Sequence, residues 1–413
     1  MKLNILNALD SKKILKELNA SPSKELAASR LVELKLPNKK SEKYRYFDIE
    51  PLIQKDWNLA KKEPIQTKTG KSIVIKNGVV EQLSNLEGVE IEMKEFNDID
   101  SQHFDSLYYL SHLLCEKAII IRVKDEAKLN IEHIVTENNC LISYRIVILS
   151  DANAHTQIYE TYSGDAKDTL LLTGYDIFIS RDSTLKFIKN QTINSNSYTP
   201  ISTNRYKVDS NATFKLGTFD FIKDNGLNIF RIELKKSSNF DASHLLYANG
   251  KVKGGTVSEI IHEGKSSNSN QISKNILDNN ARGIFDALIR VQNSAKWTKA
   301  DQNSKSVLLH SGAYMASKPQ LEIYIDDLEA SHGSTTGQLD KAQLFYLQSR
   351  GITKVDAKKM LIIAFANEVI SNIDDEYIKN VVHTHFESAY YGKPNLECLE
   401  TCHSCEDMVL EEN

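Results

Sequence analysis

Residues 146–152, Ile-Val-Ile-Leu-Ser-Asp-Ala, place four apolar residues directly before a small polar corner. The same order returns along the middle of the chain, and the first four corners are about thirty residues apart, a spacing typical of stacked repeat units. Small polar side chains suit such corners because they can hydrogen-bond to the backbone of the turn. The corners are Ser150-Asp151-Ala152, Arg181-Asp182-Ser183, Val208-Asp209-Ser210, Lys236-Ser237-Ser238 and Asn293-Ser294-Ala295.

Apolar runs of the length of single β-strands fill this region, and almost no helical pattern interrupts them. The chain has only 17 Gly and 7 Pro among 413 residues, whereas a β-sandwich would need more of both in its turns. A stacked β-solenoid explains the repeat better, although spacing alone leaves the sandwich open. The predicted strands are 118–123, 131–136, 142–149, 155–162, 176–179, 185–188, 212–216, 229–234, 284–291 and 321–325.

Helical patterns flank the β-rich region on both sides. Ser21-Pro22 is a typical helix start, with a hydroxyl residue before a proline at the first helical position. Asp340 is a predicted helix cap, and Thr353 with Asp356 forms a capping box for the following helix. We therefore predict an N-terminal helical domain over 1–70, a β-helix core over 71–330, a C-terminal helical domain over 331–392 and an acidic, cysteine-rich tail over 393–413.

Composition argues against several classes of protein. The chain has 51 Lys and Arg against 55 Asp and Glu, which disfavours a nucleic-acid binder because phosphate contacts need surplus cations. No apolar run approaches the ~18 residues that span a bilayer, and the first residues lack the apolar core of a signal peptide. Five cysteines, three of them in the last sixteen residues, do not make a disulfide framework. We expect a cytoplasmic protein.

The sequence contains no common nucleotide-binding or hydrolase motif. A Gly-x-x-x-x-Gly-Lys-Ser/Thr loop is absent, and so are a Gly-x-Gly-x-x-Gly turn after a strand and a Gly-x-Ser-x-Gly elbow. These absences disfavour an ATPase that acts alone and a Rossmann enzyme.

The most informative stretch is 321–340, in which a strand leads through Asp326-Asp327 into Ser-His-Gly-Ser-Thr-Thr-Gly at 331–337. Residues 345–352, Phe-Tyr-Leu-Gln-Ser-Arg-Gly-Ile, follow it. This order resembles the SufB/SufD family of iron–sulfur cluster assembly proteins. Residues 298–309 fit the family as well, and 36–46 are similar to its Pro-x-x-Lys-x-Glu-x-Trp-x-Tyr segment, with Tyr44 at the usual Trp position. The resemblance is dense over 260–375.

Within this family the chain resembles the SufD branch. SufB carries a cysteine upstream of a His-Glu-Ala-Thr turn, whereas this chain has His332-Gly333-Ser334-Thr335 and no cysteine between Cys140 and Cys398. The resemblance implies a right-handed parallel β-helix in a complex with a SufB-like subunit and two copies of the SufC ATPase. It also implies a non-catalytic scaffold with no stably bound cofactor, and a nascent iron–sulfur cluster that is built at the SufB–SufD interface.

His332 matches the family histidine at that interface. A neutral imidazole can bind iron or relay a proton near pH 7, and a turn at the edge of a solenoid would expose it to a partner. The alternative is that the ring only bonds the backbone of its turn, which is common for a lone histidine. The resemblance favours the role in cluster assembly.

Two further sets of residues have alternative interpretations, and a third has a single one. Asp326-Asp327 is either a metal pair or one buried corner contact beside one solvated charge, because neighbours on a strand point to opposite faces. Tyr346, Arg350 and Phe365 are candidate anchors for the ATPase, although the two aromatic residues fit a core role equally. Thr298, Gln302 and Asn303 are interpreted as ladder residues between coils.

The tail pattern Cys398-x-x-x-Cys402-His403-x-Cys405 can hold zinc or an iron–sulfur cluster. The alternative is a disordered tail with free thiols. His383 and His385 could join such a site, but surface histidines are the plainer interpretation.

Three functions compete. The leading hypothesis is a scaffold subunit for cluster assembly, which requires a SufB-like protein and an ABC-type ATPase as partners. The second is a stand-alone β-solenoid enzyme acting on polysaccharides, which would need a cleft with clustered acids and arginines. The third is a SufB-type carrier of the cluster. The sequence leaves open whether the isolated chain forms a homodimer.

Overall fold

A small helical layer forms the first part of the chain. The computed structural model describes residues 2–38, 40–60, 68–192 and 198–391. Pro22 is the first residue of a helix, as predicted, although the Ser21 side chain makes no capping hydrogen bond. The elements are β1 (Lys2–Asn4), a 3-10 turn (Ile5–Leu9), α1 (Ser11–Glu17), α2 (Pro22–Leu34), a second 3-10 turn (Glu42–Tyr44), α3 (Ile49–Gln54) and β2 (Asp56–Leu59).

A hairpin and one buried helix connect this layer to the rest of the chain. Asn77 and Gly78 both have positive φ, the geometry of a two-residue hairpin turn. The elements are β3 (Lys68–Gly70), β4 (Ile73–Lys76), β5 (Val79–Ser84), β6 (Val89–Lys94) and α4 (Ser106–Leu114).

The middle of the chain winds into a β-solenoid of about seven turns, which confirms the predicted stacked coils. Each coil adds parallel strands to two facing sheets, and their inner faces share one apolar core. The strands are β7 (Ala118–Val123), β8 (Glu126–Ile134), β9 (Cys140–Ser143), β10 (Ile146–Ser150), β11 (His155–Ser163), β12 (Thr169–Thr173), β13 (Tyr175–Ile179), β14 (Thr184–Thr192), β15 (Tyr198–Val208), β16 (Thr213–Ile222), β17 (Gly226–Leu234), β18 (Asn239–Ala248), β19 (Lys253–His262), β20 (Asn268–Leu277), β21 (Arg282–Val291), β22 (Thr298–Leu308), β23 (Tyr314–Ile323) and β24 (Leu328–Gly337).

The polar corners hold the coils in register. One residue at each corner has a positive φ, and its N–H donates to a carbonyl of the next corner at 2.6–3.1 Å. Asn and Asp tolerate this left-handed conformation better than other residues with a side chain, which explains the small polar residues of the repeat. The column is Asn153, Asp182, Asn211, Ser237, Ser266 and Trp297.

The two ends of the solenoid differ. At the first end, β4 pairs with β5 and β6 pairs with β7 in antiparallel fashion, so that both sheets are extended by strands from before the coils. At the other end, β23 pairs with β21 and β24 pairs with β22, and the described residues place no strand on the far side of either. At the C-terminal end of the solenoid, β23 and β24 therefore each have one unpaired edge.

Three helices follow β24. Asp340 accepts hydrogen bonds from Ala342 N and Gln343 N, and Thr353 accepts one from Asp356 N, so both predicted caps are confirmed. The second and third helices pack on the outer face of the sheet that contains β18, while the first buries none of its residues. No helix within the described part of the chain has the length and apolarity to cross a membrane. The helices are α5 (Lys341–Ser349), α6 (Lys354–Ile370) and α7 (Glu376–Tyr391).

Candidate functional site

His332 lies in the middle of β24, at the open end of the solenoid. The sequence predicted a turn at Ser331-His332-Gly333, and that prediction is wrong, because the whole segment is extended and pairs in parallel with β22. Leu328 and Ala330, which lie four and two residues before His332 on the same strand, pack against the apolar core. Since side chains alternate along a strand, His332 follows them on the inner side, where the last coil leaves it exposed.

A column of polar side chains lies beneath His332 inside the solenoid. Gln302 is its register partner on β22, and Gln271 is the partner of Gln302 on β20. Gln302 Nε2 donates to Gln271 Oε1 at 3.1 Å, which confirms a ladder role for this residue. Gln271 Nε2 contacts His244 Nε2 at 3.1 Å, and His244 Nδ1 contacts Thr218 Oγ1 at 2.7 Å. Burial lowers the pKa of His244 to about 4, so its ring is neutral at pH 7.

One atom of this column has no partner. Gln302 is 2% exposed, and its Oε1 is buried without a hydrogen bond to any residue that the structure describes. Such an orphaned acceptor is rare in a folded protein because it loses its hydrogen bonds to water and gains none in return. It belongs to the side chain directly below His332.

The acidic pair before β24 is exposed on both residues. Asp326 and Asp327 lie in the turn after β23 and both are exposed, so the expectation that one of them is buried is wrong. The strand ends at Ile323, two residues earlier than predicted, and the alternation of faces stops there. Asp327 Oδ2 is 3.4 Å from Lys296 Nζ, while its carbonyl accepts from Trp297 N in the corner column.

A line of alternating charges crosses the outer face of the sheet that contains β23. Arg290 Nε donates to Glu322 Oε2 at 2.7 Å, and Arg290 Nη1 donates to Glu259 Oε1 at 2.8 Å. Arg231 Nε donates to the other oxygen of Glu259 at 2.8 Å. Glu322 lies on β23, so a carboxylate ends the line at the open edge. The line consists of Arg145, Asp176, Arg205, Asp100, Arg231, Glu259, Arg290 and Glu322.

The start of this line is buried beneath α4. Arg145 Nη2 and Asp176 Oδ2 are 2.7 Å apart, and both side chains are fully buried. Burial alone would raise the pKa of Asp176, but Arg145 and His112 hold it well below its usual range. Tyr108 of α4 donates to the second oxygen of Asp176 at 2.7 Å. The helix α4 is thereby hydrogen-bonded to a buried ion pair of the solenoid.

The first C-terminal helix presents aromatic side chains to solvent. Phe345 is 73% exposed, and Tyr346 is exposed beside it. The Arg350 guanidinium lies 5.2 Å from the centre of the Tyr346 ring, so two of the three predicted anchors form one surface. Val355 and Met360 on α6 are exposed as well. We refer to these five side chains as the α5–α6 patch; only Tyr346 and Arg350 among them are predicted anchors.

Phe365 has a different environment from the other two predicted anchors. It packs against the apolar layer between α6 and the solenoid, and Lys274 Nζ lies 4.4 Å from the centre of its ring. Lys274 is buried on β20 and pairs with Glu368 on α6. Phe365 therefore fixes α6 on the sheet from its inner side.

The proposed ligands of the tail lie outside the described residues, since Cys398, Cys402, His403 and Cys405 all follow Tyr391. His385 contacts Asn190 at 2.8 Å, and His383 Nδ1 is 3.8 Å from Glu387. Within the part of the chain that the structure describes, no group of three or more His, Cys, Asp and Glu side chains is arranged to hold a metal ion.

Comparison with known families gives one match that covers more than half of the chain. Residues 133–365 match the family model described as "SUF system FeS cluster assembly, SufBD core domain". The matched region begins at the end of β8 and ends in α6, so it includes the later coils, the polar column and His332.

Individual relatives agree with this match. The chain is 43% identical over 115 residues to the iron–sulfur cluster assembly protein SufD of Escherichia coli, a match that covers 28% of this chain and 27% of that protein. It is 24% identical over 397 residues to an iron–sulfur cluster assembly SufBD family protein of Synechocystis, with 84% and 86% covered. SufD of Bacillus subtilis is 28% identical over 174 residues, with 41% and 39% covered. The match to SufD of Escherichia coli thus spans about a quarter of that protein.

Proposed function

The chain belongs to the SufBD family of the SUF iron–sulfur cluster assembly system, and we propose that it is the SufD-like scaffold subunit of a complex with a SufB-like subunit and a SufC-like ABC ATPase. In this role it catalyses no reaction itself. It offers His332 at the seam with the SufB-like subunit, where the nascent cluster is assembled as cargo. Relatives named SufD in two bacteria support the choice of branch.

The observation that carries the proposal is the exposed imidazole on the last strand of the solenoid. His332 stands at the open end of the coils, on a strand with one unpaired edge. A neutral imidazole is a good ligand for iron and can also transfer a proton near pH 7. His332 matches the family histidine, and its ring is exposed. For these two reasons the proposal assigns cluster assembly to this residue.

The SufB-like subunit binds at the open edges of β23 and β24 in this proposal. Unpaired strand edges present rows of N–H and C=O groups that another chain can extend. The line of charges on the outer face ends in Glu322, whose Oε2 already accepts from Arg290. We expect the partner's adjoining strand to present a cation there, because each carboxylate in the line is flanked by cations.

The SufC-like ATPase binds the α5–α6 patch. α5 buries none of its own residues, and exposed aromatic and arginine side chains are typical centres of protein interfaces. Phe365 contributes indirectly, since it holds α6 on the solenoid through its contact with Lys274. The ATPase supplies the nucleotide site for which this sequence has no motif.

Two other functions remain as alternatives. A SufB-type carrier would hold the cluster with its own cysteines, and the tail cysteines are the candidates for that role. A polysaccharide-active enzyme on the same fold has less support, because the family match favours cluster assembly. Homodimerisation of the isolated chain through the same open edges is compatible with the scaffold role.

Co-purification tests the proposal directly. The full chain is expressed with a tag beside a SufB-like protein and an ABC ATPase from the same genome. We expect both to be retained, and we expect Phe345→Ala with Tyr346→Ala to release the ATPase while the SufB-like subunit stays bound. A chain that retains neither partner would overturn the proposal. A chain that binds iron and sulfide through its tail cysteines alone would favour the carrier.

A further inference from the structure

The orphaned acceptor beneath His332 has a natural donor in the ring above it. We propose that Gln302 is a positioning residue for His332, whose ring N–H donates to Gln302 Oε1 so that the second ring nitrogen faces the open end with its lone pair free. This inference rests on the proposed function of His332 and adds the residue that orients it.

The hydrogen bonds of the column set the direction of the Gln302 amide. Gln302 Nε2 donates inward to Gln271 Oε1, and Gln271 Nε2 donates inward again to His244 Nε2. His244 is neutral because burial lowers the pKa of its ring to about 4, so an accepting Nε2 leaves the proton on Nδ1, which faces Thr218 Oγ1. Every donor of this column points inward, so the coils below supply no donor to the carbonyl oxygen of Gln302, which is buried without a partner among the described residues.

The backbone brings the two side chains together. His332 and Gln302 are direct partners in the parallel pairing of β24 with β22, with no shift of register along the two strands. Side chains in such a pair leave the sheet on the same side. The exposed imidazole can rotate about its side-chain bonds, and a buried acceptor without a donor favours the rotamer that satisfies it.

The chemical consequence concerns the tautomer of the ring. A neutral imidazole has one N–H and one nitrogen with a lone pair, and a hydrogen bond to the first fixes the position of the second. Histidines that bind metals generally donate their other N–H to a carbonyl, a carboxylate or water. The amide of Gln302 supplies that acceptor from inside the solenoid, and the free lone pair then faces the iron of the cargo at the seam.

The test measures the ratio of the two neutral tautomers of His332 in the absence of a cluster. The full chain is labelled with ¹⁵N-histidine, and ring nitrogen shifts are recorded at a pH where the ring is neutral; His332→Ala identifies the signal. We expect one tautomer to predominate. Gln302→Met removes the acceptor and shifts the tautomer ratio by about fivefold, as expected for the loss of one ordinary hydrogen bond. Gln302→Glu keeps an acceptor and retains the ratio. Asn303→Ala, on the exposed face of the same strand, is the matched control.

The outcomes separate this inference from the proposed function. An unchanged ratio in folded Gln302→Met overturns the positioning role, even if His332→Ala abolishes cluster assembly. If Gln302→Met does not fold, a weaker preference for the same tautomer in Gln302→Glu overturns it, because a carboxylate is at least as good an acceptor as the amide. A cluster assembly rate that is unaffected by His332→Ala overturns the function of His332 while the tautomer result stands.

Discussion

His332 and Gln302 are direct partners in the last parallel strand pair of the solenoid, one exposed and the other buried. The exposed member lies at an open edge and the buried one ends a hydrogen-bonded column that reaches His244. An exposed imidazole thereby lies directly above a buried column of polar side chains.

Trp297 is strained in the corner column. It has φ of +60° and is 61% exposed, whereas the other members of the column are Asn, Asp and Ser. A left-handed conformation costs a residue with a Cβ about 1–2 kcal/mol, and Asn tolerates it better. Trp297→Asn should raise the free energy of unfolding by about 1 kcal/mol in urea titrations. A loss of stability would show that the contact with Lys265, 6.0 Å from the ring, outweighs the strain.

The α5–α6 patch should matter for binding and not for folding. Phe345→Ala with Tyr346→Ala removes exposed side chains, so the free energy of unfolding should change by no more than about 0.5 kcal/mol. Binding of the ATPase should weaken by about 2 kcal/mol, measured by calorimetry on the purified chain. Tyr377→Ala, an exposed aromatic on α7, is the control and should leave binding unchanged. Equal weakening by both variants would argue against the patch.

Buried His244 should make the fold sensitive to acid. Its pKa is lowered to about 4 by burial, while the unfolded chain has the ordinary value of about 6.5. Below pH 6.5 the unfolded state therefore binds more protons than the folded state, and stability falls as the pH approaches 4. Between pH 7.5 and 5.0 this one ring should cost about 2 kcal/mol. His244→Gln should reduce the measured loss by that amount, and an unchanged loss would mean that other groups cause it.

The tail cysteines should increase the metal content of the purified chain, whatever the role of the solenoid. We propose that Cys398, Cys402 and Cys405 form a transient metal site, because thiolates at this spacing bind zinc or iron. Elemental analysis of the purified chain should show less zinc or iron after residues 396–413 are removed, whereas Cys115→Ser should leave the content unchanged. Identical metal content with and without the tail would remove the site.

Local signals made much of the fold predictable from the sequence. The corners were visible because Asp182 and Ser237 occupy positions where small polar side chains suit the turn and its left-handed backbone. The helices were visible because Asp340 and Thr353 are caps whose partners lie within three residues. These features depend on neighbours in the chain, and a single sequence contains those neighbours.

Contacts between coils were much harder to predict. Gln302, Gln271 and His244 form one column although about thirty residues separate each from the next, so no local pattern relates them. The same applies to Arg290, which bonds Glu259 and Glu322 on the two neighbouring coils. Gly333 suggested a turn at His332, but the parallel pairing of β24 with β22 keeps the segment extended. The sequence therefore singled out His332 and gave no sign of the polar column beneath it.

Cluster assembly by the reconstituted complex tests the role of His332 most directly. The chain is combined with its SufB-like and ATPase partners, and the iron and sulfide retained by the complex are measured together with its visible absorption. We predict that His332→Ala leaves the complex intact and lowers its cluster content at least tenfold. His310→Ala, which removes another exposed histidine in the turn after β22, should leave the content unchanged. An intact His332→Ala complex with full cluster content would contradict the account.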